Sequence, residues 1–432
     1  MVTIPGSRWL ILTQYYAPEI GAPQIRLRSV ARELRRYGIH VEVLTALPNY
    51  PAGKVFPGYE HRWRLHETID NVPVTRTWVY AGTGKSKLVR LGNYLSFTLT
   101  ALVTTITGPK PDLIFVESQP LSLGVVAVIM KWLRGVPFIY NVPDLQVDVA
   151  REMGFMKNQR LLQLAFRLEN FFLSRAWKIS TVTHQFIEHF KNRGFPGEKT
   201  TFLPNGADTE FLRPQKPSQL LLDRWGVRDK KVFLYVGTHA YYHGLDTLIE
   251  AADLLRENQE IVFIMIGNGP ERGRLKKLCA VKQLRNVIFA TSPYEEMDQL
   301  YSIAYASIAT LRNLDVAKGM RLSKVFPSLS CGVPVIYSGV GEAAELIAQN
   351  KCGVVVAPES PELLAKAISD LASAPEWKSE LGQNGLSLVQ GQYSWSSIVQ
   401  RWLSEIGFTY NEKVERDPLK QVVGDKKKLF VS

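Results

Sequence analysis

Cysteine is scarce in this sequence, with three in 432 residues, and Cys279, Cys331 and Cys352 follow neither a disulfide framework nor a CxxC metal pattern. We expect buried thiols in a reducing compartment. The first residues lack a basic segment leading into an apolar run, so no signal peptide is predicted. The longest weakly polar stretch, 91–108, is broken by one asparagine and five threonines. It is too short and too polar for a membrane span, and a cytoplasmic protein is predicted.

Common catalytic and metal-binding patterns are also missing. The sequence has no Gly-x-Ser-x-Gly motif and no Ser/His/Asp or Cys/His set, which argues against the usual nucleophilic hydrolases. His239 and His243 are four residues apart, but they lie in an expected turn with no HExxH motif and no third ligand nearby. We therefore predict no metal site.

Positive charge is in excess, with a formal net charge of +12. No helix-turn-helix, RNP or zinc-finger pattern accompanies it, so no nucleic-acid partner is predicted. The segment 24–37 has an apolar stripe at helical spacing, and the arginines on its other faces are Arg26, Arg28, Arg32, Arg35 and Arg36. Lys85, Lys87 and Arg90 precede the 91–108 stretch. This basic face is either a solvated helix surface or a docking surface for an anionic membrane, on which the chain would be peripheral.

Strand-like and helix-like segments alternate along the whole chain. The candidate strands are 9–13, 41–45, 74–80, 113–117, 138–142, 179–183, 232–236, 261–266, 287–290, 306–311, 333–337 and 354–357. Most are continuously apolar, as in strands that are buried on both faces. Repeated strand–helix units with short turns predict an α/β fold with two doubly wound, mostly parallel sheets. Ligands of such sheets bind beyond the carboxyl ends of the strands.

The segment 200–358 contains the most informative pattern. Its successive blocks are TTFLPNGADTEFLRP, VFLYVGTHAYYHGLDTLIEAADLL, IVFIMIGNGPERGRL, NVIFATSPYEEMDQLYSIAYASIATL and RLSKVFPSLSCGVPVIYSGVGEAAELI. In most of them an apolar run of strand length is followed by a turn and a helical segment. Glycine turns between strand and helix bring backbone N–H groups up to an anion, and several of them at one sheet edge suit a diphosphate.

In motif, order and spacing these blocks resemble the retaining family-4 glycosyltransferases of GT-B fold. The opening YYAPEIGAPQIRLRSVARELRRYGIHVEVLTALPNYPAGKVFPGY resembles their bacterial polysaccharide branch, which includes the colanic-acid fucosyltransferase group. The resemblance covers roughly 8–405. It implies two Rossmann-like domains that face each other across a cleft. These would be an acceptor-binding domain at 1–199 and a nucleotide-sugar-binding domain at 200–394. A helix at 395–410 would cross back to the first domain, and a basic tail would follow at 411–432.

The resemblance also implies which residues act. Catalytic roles fall on Asp144, Arg321 and Lys324, and donor-binding roles on Gly21, Gly237, Thr238, His243, Lys324, Gly341, Glu342 and Glu345. Lys324 and Arg321 would neutralise the leaving diphosphate. The base is either Asp144 or the donor's own leaving phosphate. Glu19, beside the glycine loop at Gly21, is either an acceptor contact or a surface carboxylate.

Several positions depart from the family pattern. Thr238 and His243 stand where many members have an arginine and a lysine. Gly319 and Pro327 replace the usual pair of glutamates, and Pro143 replaces a histidine. The identity of the donor therefore cannot be carried over from the family.

The predicted function is transfer of a sugar, with retention, from a UDP- or GDP-sugar to a polyprenyl-linked or polysaccharide acceptor. No cofactor and no metal ion are expected, since the Asp-x-Asp motif of metal-dependent GT-A enzymes is missing. Two alternatives stay open. One is a GT-B-fold nucleotide-sugar epimerase or phosphorylase, and the other is a non-catalytic partner of another glycosyltransferase.

Overall fold

The structure is a computed structural model that describes residues 6–84, 86–152, 154, 158–314, 319 and 322–408. Arg321, Lys85 and the tail 411–432 lie outside the described residues. The chain divides into two compact units, one formed by 1–140 with 403–432 and the other by 141–402. This division passes through the strand Phe138–Val142, whereas the sequence placed the boundary after residue 199.

The first sheet contains eight strands. They are β1 Arg8–Leu12, β2 His40–Ala46, β3 Arg64–Ile69, β4 Val72–Thr77, β5 Leu113–Glu117, β6 Phe138–Val142, β7 Lys178–Thr181 and β8 Thr200–Phe202. Their order is β3-β4-β2-β1-β5-β6-β7-β8. The central strand β1 is parallel to both of its neighbours, and β3 pairs with β4 in antiparallel fashion. The mostly buried central strands explain why the sequence reads as continuous apolar runs.

Helices follow most of these strands. They are α1 Ala22–Arg36, α2 Lys87–Thr107, α3 Leu123–Arg134, α4 Gln146–Glu152, α5 Gln159–Arg175 and α6 His184–Asn192. Two of them begin at a capping side chain. Asn158 caps α5 by accepting hydrogen bonds from two backbone N–H groups, and Thr183 caps α6 by accepting one from the N–H of Phe186.

The second sheet contains six strands, all paired in parallel. They are β9 Lys231–Val236, β10 Ile261–Ile266, β11 Val287–Ala290, β12 Ala304–Thr310, β13 Val335–Ser338 and β14 Gly353–Val356. The order β11-β10-β9-β12-β13-β14 reverses between β9 and β12. In an open parallel sheet, ligands bind at such a reversal, beyond the carboxyl ends of the strands.

The helices of the second half are α7 Gln219–Trp225, α8 Leu245–Leu254, α9 Arg272–Val281, α10 Met297–Ser302, α11 Val325–Ser330, α12 Glu342–Gln349, α13 Pro361–Ala372, α14 Pro375–Leu388 and α15 Trp395–Glu405. The core of this half is an apolar cluster in which α8 and α13 pack against the central strands. The three cysteines are buried and form no disulfide, as predicted. In the described part of the chain, no helix is both long and apolar enough to cross a membrane.

The prediction that the arginines of α1 form an exposed basic face is wrong in part. Arg26 is buried, and one of its terminal nitrogens donates to both oxygens of the buried Glu117 carboxylate at 2.8 and 3.0 Å. Arg28 pairs with Asp70, and Glu33 accepts hydrogen bonds from two further arginines of the helix. The apolar stripe is buried as expected. Much of the positive charge of α1 is therefore balanced within the protein instead of being offered to a surface.

Candidate functional site

The turn after β9 is the centre of the candidate site. Gly237 has a φ of +152°, a conformation that favours glycine. A Cβ atom at this position would lie 3.0 Å from the Nζ atom of Lys324. A glycine here thus lets the lysine approach the backbone of the turn. The structure brings together two residues that the sequence assigned to the same diphosphate.

Lys324 immediately precedes α11 and is held by an aromatic side chain. Its ammonium donates a hydrogen bond to the Tyr235 hydroxyl at 3.0 Å and lies 4.4 Å from the centre of that ring. The hydroxyl in turn donates to the carbonyl oxygen of Thr238 at 2.8 Å. Burial lowers the pKa of Lys324 to about 7. No carboxylate pairs with the ammonium among the contacts of the described residues, so an anionic ligand would supply its missing counter-charge.

His243 lies beside Lys324. Both residues are predicted from the sequence to bind the donor. Both of its ring nitrogens are 3.5 Å from the lysine Nζ atom. Burial, with a further effect from the nearby lysine, lowers the pKa of His243 well below its ordinary value. A neutral imidazole next to an ammonium can accept or donate a hydrogen bond without adding charge repulsion.

The turn that carries His243 is fixed by Arg312. The backbone N–H of Arg312 donates to Tyr242, and its Nε atom donates to the carbonyl oxygen of Tyr241. The rest of the guanidinium pairs with Asp246 and Glu359. These contacts connect the turn at 241–243 and the first turn of α8 to the loop after β12.

A second turn, after β10, lies directly against the first. Gly237 donates its N–H to the carbonyl oxygen of Ile266 at 3.0 Å. Gly267 has a φ of +139°, and a Cβ atom there would be 2.0 Å from the carbonyl oxygen of Gly237. Any side chain at position 267 would therefore push the two turns apart.

His239 joins the two turns. Its backbone N–H donates to the carbonyl oxygen of Asn268, and its ring is fully buried. Within the described part of the chain, neither ring nitrogen has a hydrogen-bond partner. Burial, followed by the charges of Arg272 and Lys324, lowers the pKa of His239 to about 4. Arg272, at the start of α9, is thus a second cation of the site, and sequence reasoning missed it.

Among the described residues, no group of three or more histidine, cysteine, aspartate or glutamate side chains could hold a metal ion. The positive charge that the structure places at these turns comes from side chains. Two cations, adjacent backbone turns and the carboxyl ends of central strands form an arrangement suited to binding phosphate groups.

The remaining predicted residues of this half are less closely grouped. Thr238 is exposed, and its carbonyl oxygen is taken by Tyr235. Gly341 has a φ of +84° and immediately precedes α12. Glu342 is buried and accepts a hydrogen bond from the backbone N–H of Gln185 at 3.2 Å, whereas Glu345 is exposed. The Glu342 carboxylate therefore has a structural contact of its own.

Asp144 and Gly21, two further predicted site residues, belong to other loops of the chain. Asp144 is exposed in the loop between β6 and α4, and its carbonyl oxygen accepts from the N–H of Gln146. Gly21 lies at the start of α1 in extended backbone, and a Cβ atom there would meet the side chain of Gln24 at 2.5 Å.

The interpretation of Glu19 as a surface carboxylate is wrong. Glu19 is 3% exposed, and its carboxylate accepts backbone N–H groups from Tyr16, Asn49 and Tyr50 at 3.2, 2.8 and 2.8 Å. Burial raises the pKa of Glu19 to about 7 despite these three donors. Glu19 ties the loop before Gly21 to the loop after β2, and this structural role occupies both of its oxygens.

Two family models match the chain and together cover most of its length. The "Glycosyl transferase 4-like domain" matches residues 21–206, and "Glycosyl transferases group 1" matches residues 223–387. The chain belongs to the family-4 glycosyltransferases of GT-B fold. The second match contains the turns after β9 and β10, together with Lys324.

Individual relatives agree with this assignment. The chain is 25% identical over 375 residues to a protein of Escherichia coli K12 named as a colanic acid biosynthesis glycosyl transferase, WcaI, covering 84% of this chain and 91% of that one. It is 24% identical over 377 residues to a protein of Bacillus subtilis named as a teichuronic acid biosynthesis glycosyltransferase, TuaC, covering 84% and 88%. The resemblance to the bacterial polysaccharide branch is therefore confirmed.

A solved structure supports the fold. Anabaena Alr3699/HepE in complex with UDP-glucose matches this glycosyltransferase with a TM-score of 0.69 and 18% identity, covering 92% of this chain and 98% of that one. The predicted GT-B class, with its two Rossmann-like halves, is confirmed.

The two positions that lack the family's glutamates have distinct environments. A Cβ atom at Gly319 would lie 2.8 Å from the ring of Phe186, so the space there is already filled. Pro327 lies in the first turn of α11, where its missing N–H costs no helical hydrogen bond. Neither position offers a carboxylate, and the side chains in contact with one another beside the turn after β9 are those of Lys324, Tyr235 and His243.

Proposed function

We propose that this glycosyltransferase moves a sugar, with retention of anomeric configuration, from a UDP- or GDP-sugar to a polyprenyl-linked or polysaccharide acceptor. The observation that carries the proposal is the buried Lys324 ammonium, which lies against the glycine turn after β9 with no carboxylate to neutralise it among its described contacts. That geometry suits the β-phosphate of a nucleoside diphosphate.

Lys324 would act where negative charge grows during the reaction. As the bond between the sugar and the diphosphate breaks, charge develops on the leaving oxygen, and a fixed cation nearby stabilises it more than it stabilises the ground state. Arg272 adds positive charge at the neighbouring turn. The proposal includes no metal ion and no cofactor, because these side chains supply the charge that a divalent ion would otherwise provide.

The base in this proposal is the leaving phosphate of the donor. In a single displacement with retention, the acceptor hydroxyl attacks from the face of the leaving group, so the departing phosphate oxygen is the nearest group able to take the proton. Asp144, which is exposed in the loop between β6 and α4, is the second candidate.

The relatives support a nucleotide-sugar donor without deciding the base. A Mycolicibacterium smegmatis relative, 26% identical over 225 residues, is named as a GDP-mannose-dependent phosphatidylinositol monomannoside mannosyltransferase. HepE is described in complex with UDP-glucose. Names in colanic acid, teichuronic acid and O-antigen synthesis support a polysaccharide or lipid-linked acceptor.

We predict that the intact protein, incubated with a panel of UDP- and GDP-sugars, releases nucleoside diphosphate from one of them. The release should accelerate when a bacterial lipid extract containing polyprenyl-linked sugars is added, because an acceptor hydroxyl replaces water as the nucleophile. The product linkage, read by NMR, should keep the donor's anomeric configuration. EDTA should leave the rate unchanged.

The same assay separates the alternatives. An epimerase would convert the nucleotide sugar in the absence of acceptor, and a pyridoxal-dependent phosphorylase would show the cofactor's absorbance band. A non-catalytic partner would bind none of the donors. Inversion at the anomeric carbon, or loss of activity in EDTA, would contradict the proposed mechanism while leaving the family assignment intact.

A further inference from the structure

Helix α2 presents an apolar face to the surface. Leucine, valine and isoleucine recur every three or four residues on its exposed side, and Leu88, Leu99 and Val103 are 77%, 64% and 60% exposed. The face consists of Leu88, Leu91, Leu95, Leu99, Val103 and Ile106. At 1.5 Å per residue it is about 27 Å long. Singly scattered apolar side chains are normal on a surface, but an uninterrupted stripe of this length calls for a partner.

Tryptophan side chains flank the apolar face on one side. Trp63 and Trp78 stack with ring centres 5.5 Å apart, and both are exposed. They are held next to α2 because Thr100 donates to the carbonyl oxygen of Trp78 and Arg64 donates to the hydroxyl of Thr104, at 2.9 and 2.8 Å. The indole rings therefore extend the apolar surface beyond the helix itself.

The C-terminal end of α3 flanks the face on its other side. Trp132 and Leu133 are 61% and 66% exposed. Arg134 of the same helix donates to the carbonyl oxygens of Thr105 and Ile106, which ties the end of α3 to the end of α2. Tryptophan is typical of the boundary between water and lipid, since it combines a large apolar ring with a polar N–H group.

The charged residues of α2 itself, and the arginine that hydrogen-bonds to its Thr104, are basic. The sequence of α2 contains no aspartate or glutamate, and Arg62, Arg64 and Arg90 near its two ends are exposed. A second copy of this chain would bring like charges together across the face, whereas an anionic lipid surface complements them. The helix is not apolar enough to cross a membrane, so it would lie in the interface plane.

We propose that the apolar face of α2, with its flanking tryptophans, docks this protein on the surface of an anionic lipid bilayer. The leucine side chains enter the boundary between headgroups and acyl chains, and the neighbouring arginines contact lipid phosphates. This surface takes the place of the α1 face, much of whose positive charge is paired within the protein. The proposal gives the proposed glycosyltransferase a reason to meet lipid-linked acceptors, but docking itself requires neither donor nor acceptor.

The experiment is flotation of the intact protein with vesicles of phosphatidylcholine containing phosphatidylglycerol, without any nucleotide sugar. Wild type should float with the vesicles at low salt and less completely at about 0.5 M salt, because salt screens the arginines but not the apolar contacts. The variant L91Q/L95Q/L99Q/V103Q should lower the bound-to-free ratio by about 10-fold or more.

A matched control tests whether any loss of surface leucine has this effect. Leu220, Val281 and Leu363 are 65%, 81% and 48% exposed on other helices. L220Q/V281Q/L363Q should float like wild type, and both variants should keep the wild-type Tm.

Three results would overturn the proposal. The first is wild type remaining in the lower fraction at low salt, and the second is equal loss of flotation in the control variant. The third is a dimer in light scattering that the α2 variant converts to monomer, which would assign the apolar face to a second copy of the chain. Because no donor is present, failure here leaves the proposed transfer reaction untouched.

Discussion

Lys324→Ala is expected to lower turnover by about 30- to 1000-fold, which corresponds to the loss of about 2–4 kcal/mol of transition-state stabilisation. The physical reason is that the Lys324 side chain, held by Tyr235 against the turn at Gly237, would in the proposed mechanism face the oxygen on which charge develops. Steady-state assays with the preferred nucleotide sugar measure the effect. The Tm should be nearly unchanged, since no carboxylate pairs with Lys324 among its described contacts and its removal breaks no ion pair.

Lys277→Ala is the matched control for this loss of one lysine. Lys277 is exposed on α9 in the same unit of the chain, and its replacement should leave turnover at the wild-type value. Near-normal turnover in Lys324→Ala would indicate that Arg272 or His243, and not Lys324, makes the important contact with the diphosphate. A large fall in Tm would show that the lysine is structural.

Arg26→Met is expected to lower the free energy of unfolding by about 3–5 kcal/mol. Arg26 and Glu117 are 3% and 2% exposed, and the guanidinium contacts both carboxylate oxygens. Removing the arginine leaves a buried carboxylate that has lost its charged partner, and this accounts for the cost. Chemical denaturation followed by tryptophan fluorescence measures the change.

Two further variants make this prediction sharp. Arg35→Met changes the same residue type on the same helix at an exposed position, and should alter the stability by no more than about 0.5 kcal/mol. Arg26→Met/Glu117→Leu removes both charges and should recover part of the loss. Equal destabilisation by Arg26→Met and Arg35→Met would contradict the prediction, because the loss of the buried ion pair would then cost no more than the loss of an exposed arginine.

Local pattern was sufficient to predict most of the fold. Four strands, β5, β6, β10 and β11, have the bounds expected from their apolar runs. The strand β3 was not predicted, because its residues alternate between exposed and half-buried on the edge of the sheet. Asp70 and Asn71 after it both have positive φ angles, 49° and 63°, as in a tight hairpin turn. That dipeptide was the available signal.

Side-chain roles that depend on distant partners could not be read from local pattern. Arg26 looked like part of a basic helix face, because its partner Glu117 is 91 residues away in the sequence. Glu19 looked exposed because two of its donors come from the loop at 49–50. Lys324 could be predicted as a site residue because its motif is local and resembles that of the family. The contact between Tyr235 and Lys324 was not predictable, because Tyr235 lies in an apolar strand, where a tyrosine is expected to be a core residue.

The central claim is that Lys324 and the turn after β9 receive the donor's diphosphate, and calorimetric titration of the intact protein with UDP and GDP tests it most directly. The pKa of Lys324 is lowered to about 7 in the free protein, so at pH 8 the amine is mostly neutral. A bound diphosphate raises that pKa, and binding at pH 8 should therefore take up a proton at Lys324 in most of the molecules. Titrations in buffers of different ionisation enthalpy measure the uptake.

The account predicts that one of the two diphosphates binds with this proton uptake, and that Lys324→Ala both weakens binding and abolishes the uptake. Absence of binding by either diphosphate would contradict the account. So would binding whose affinity and proton uptake are the same in Lys324→Ala as in wild type, because the phosphates would then lie elsewhere.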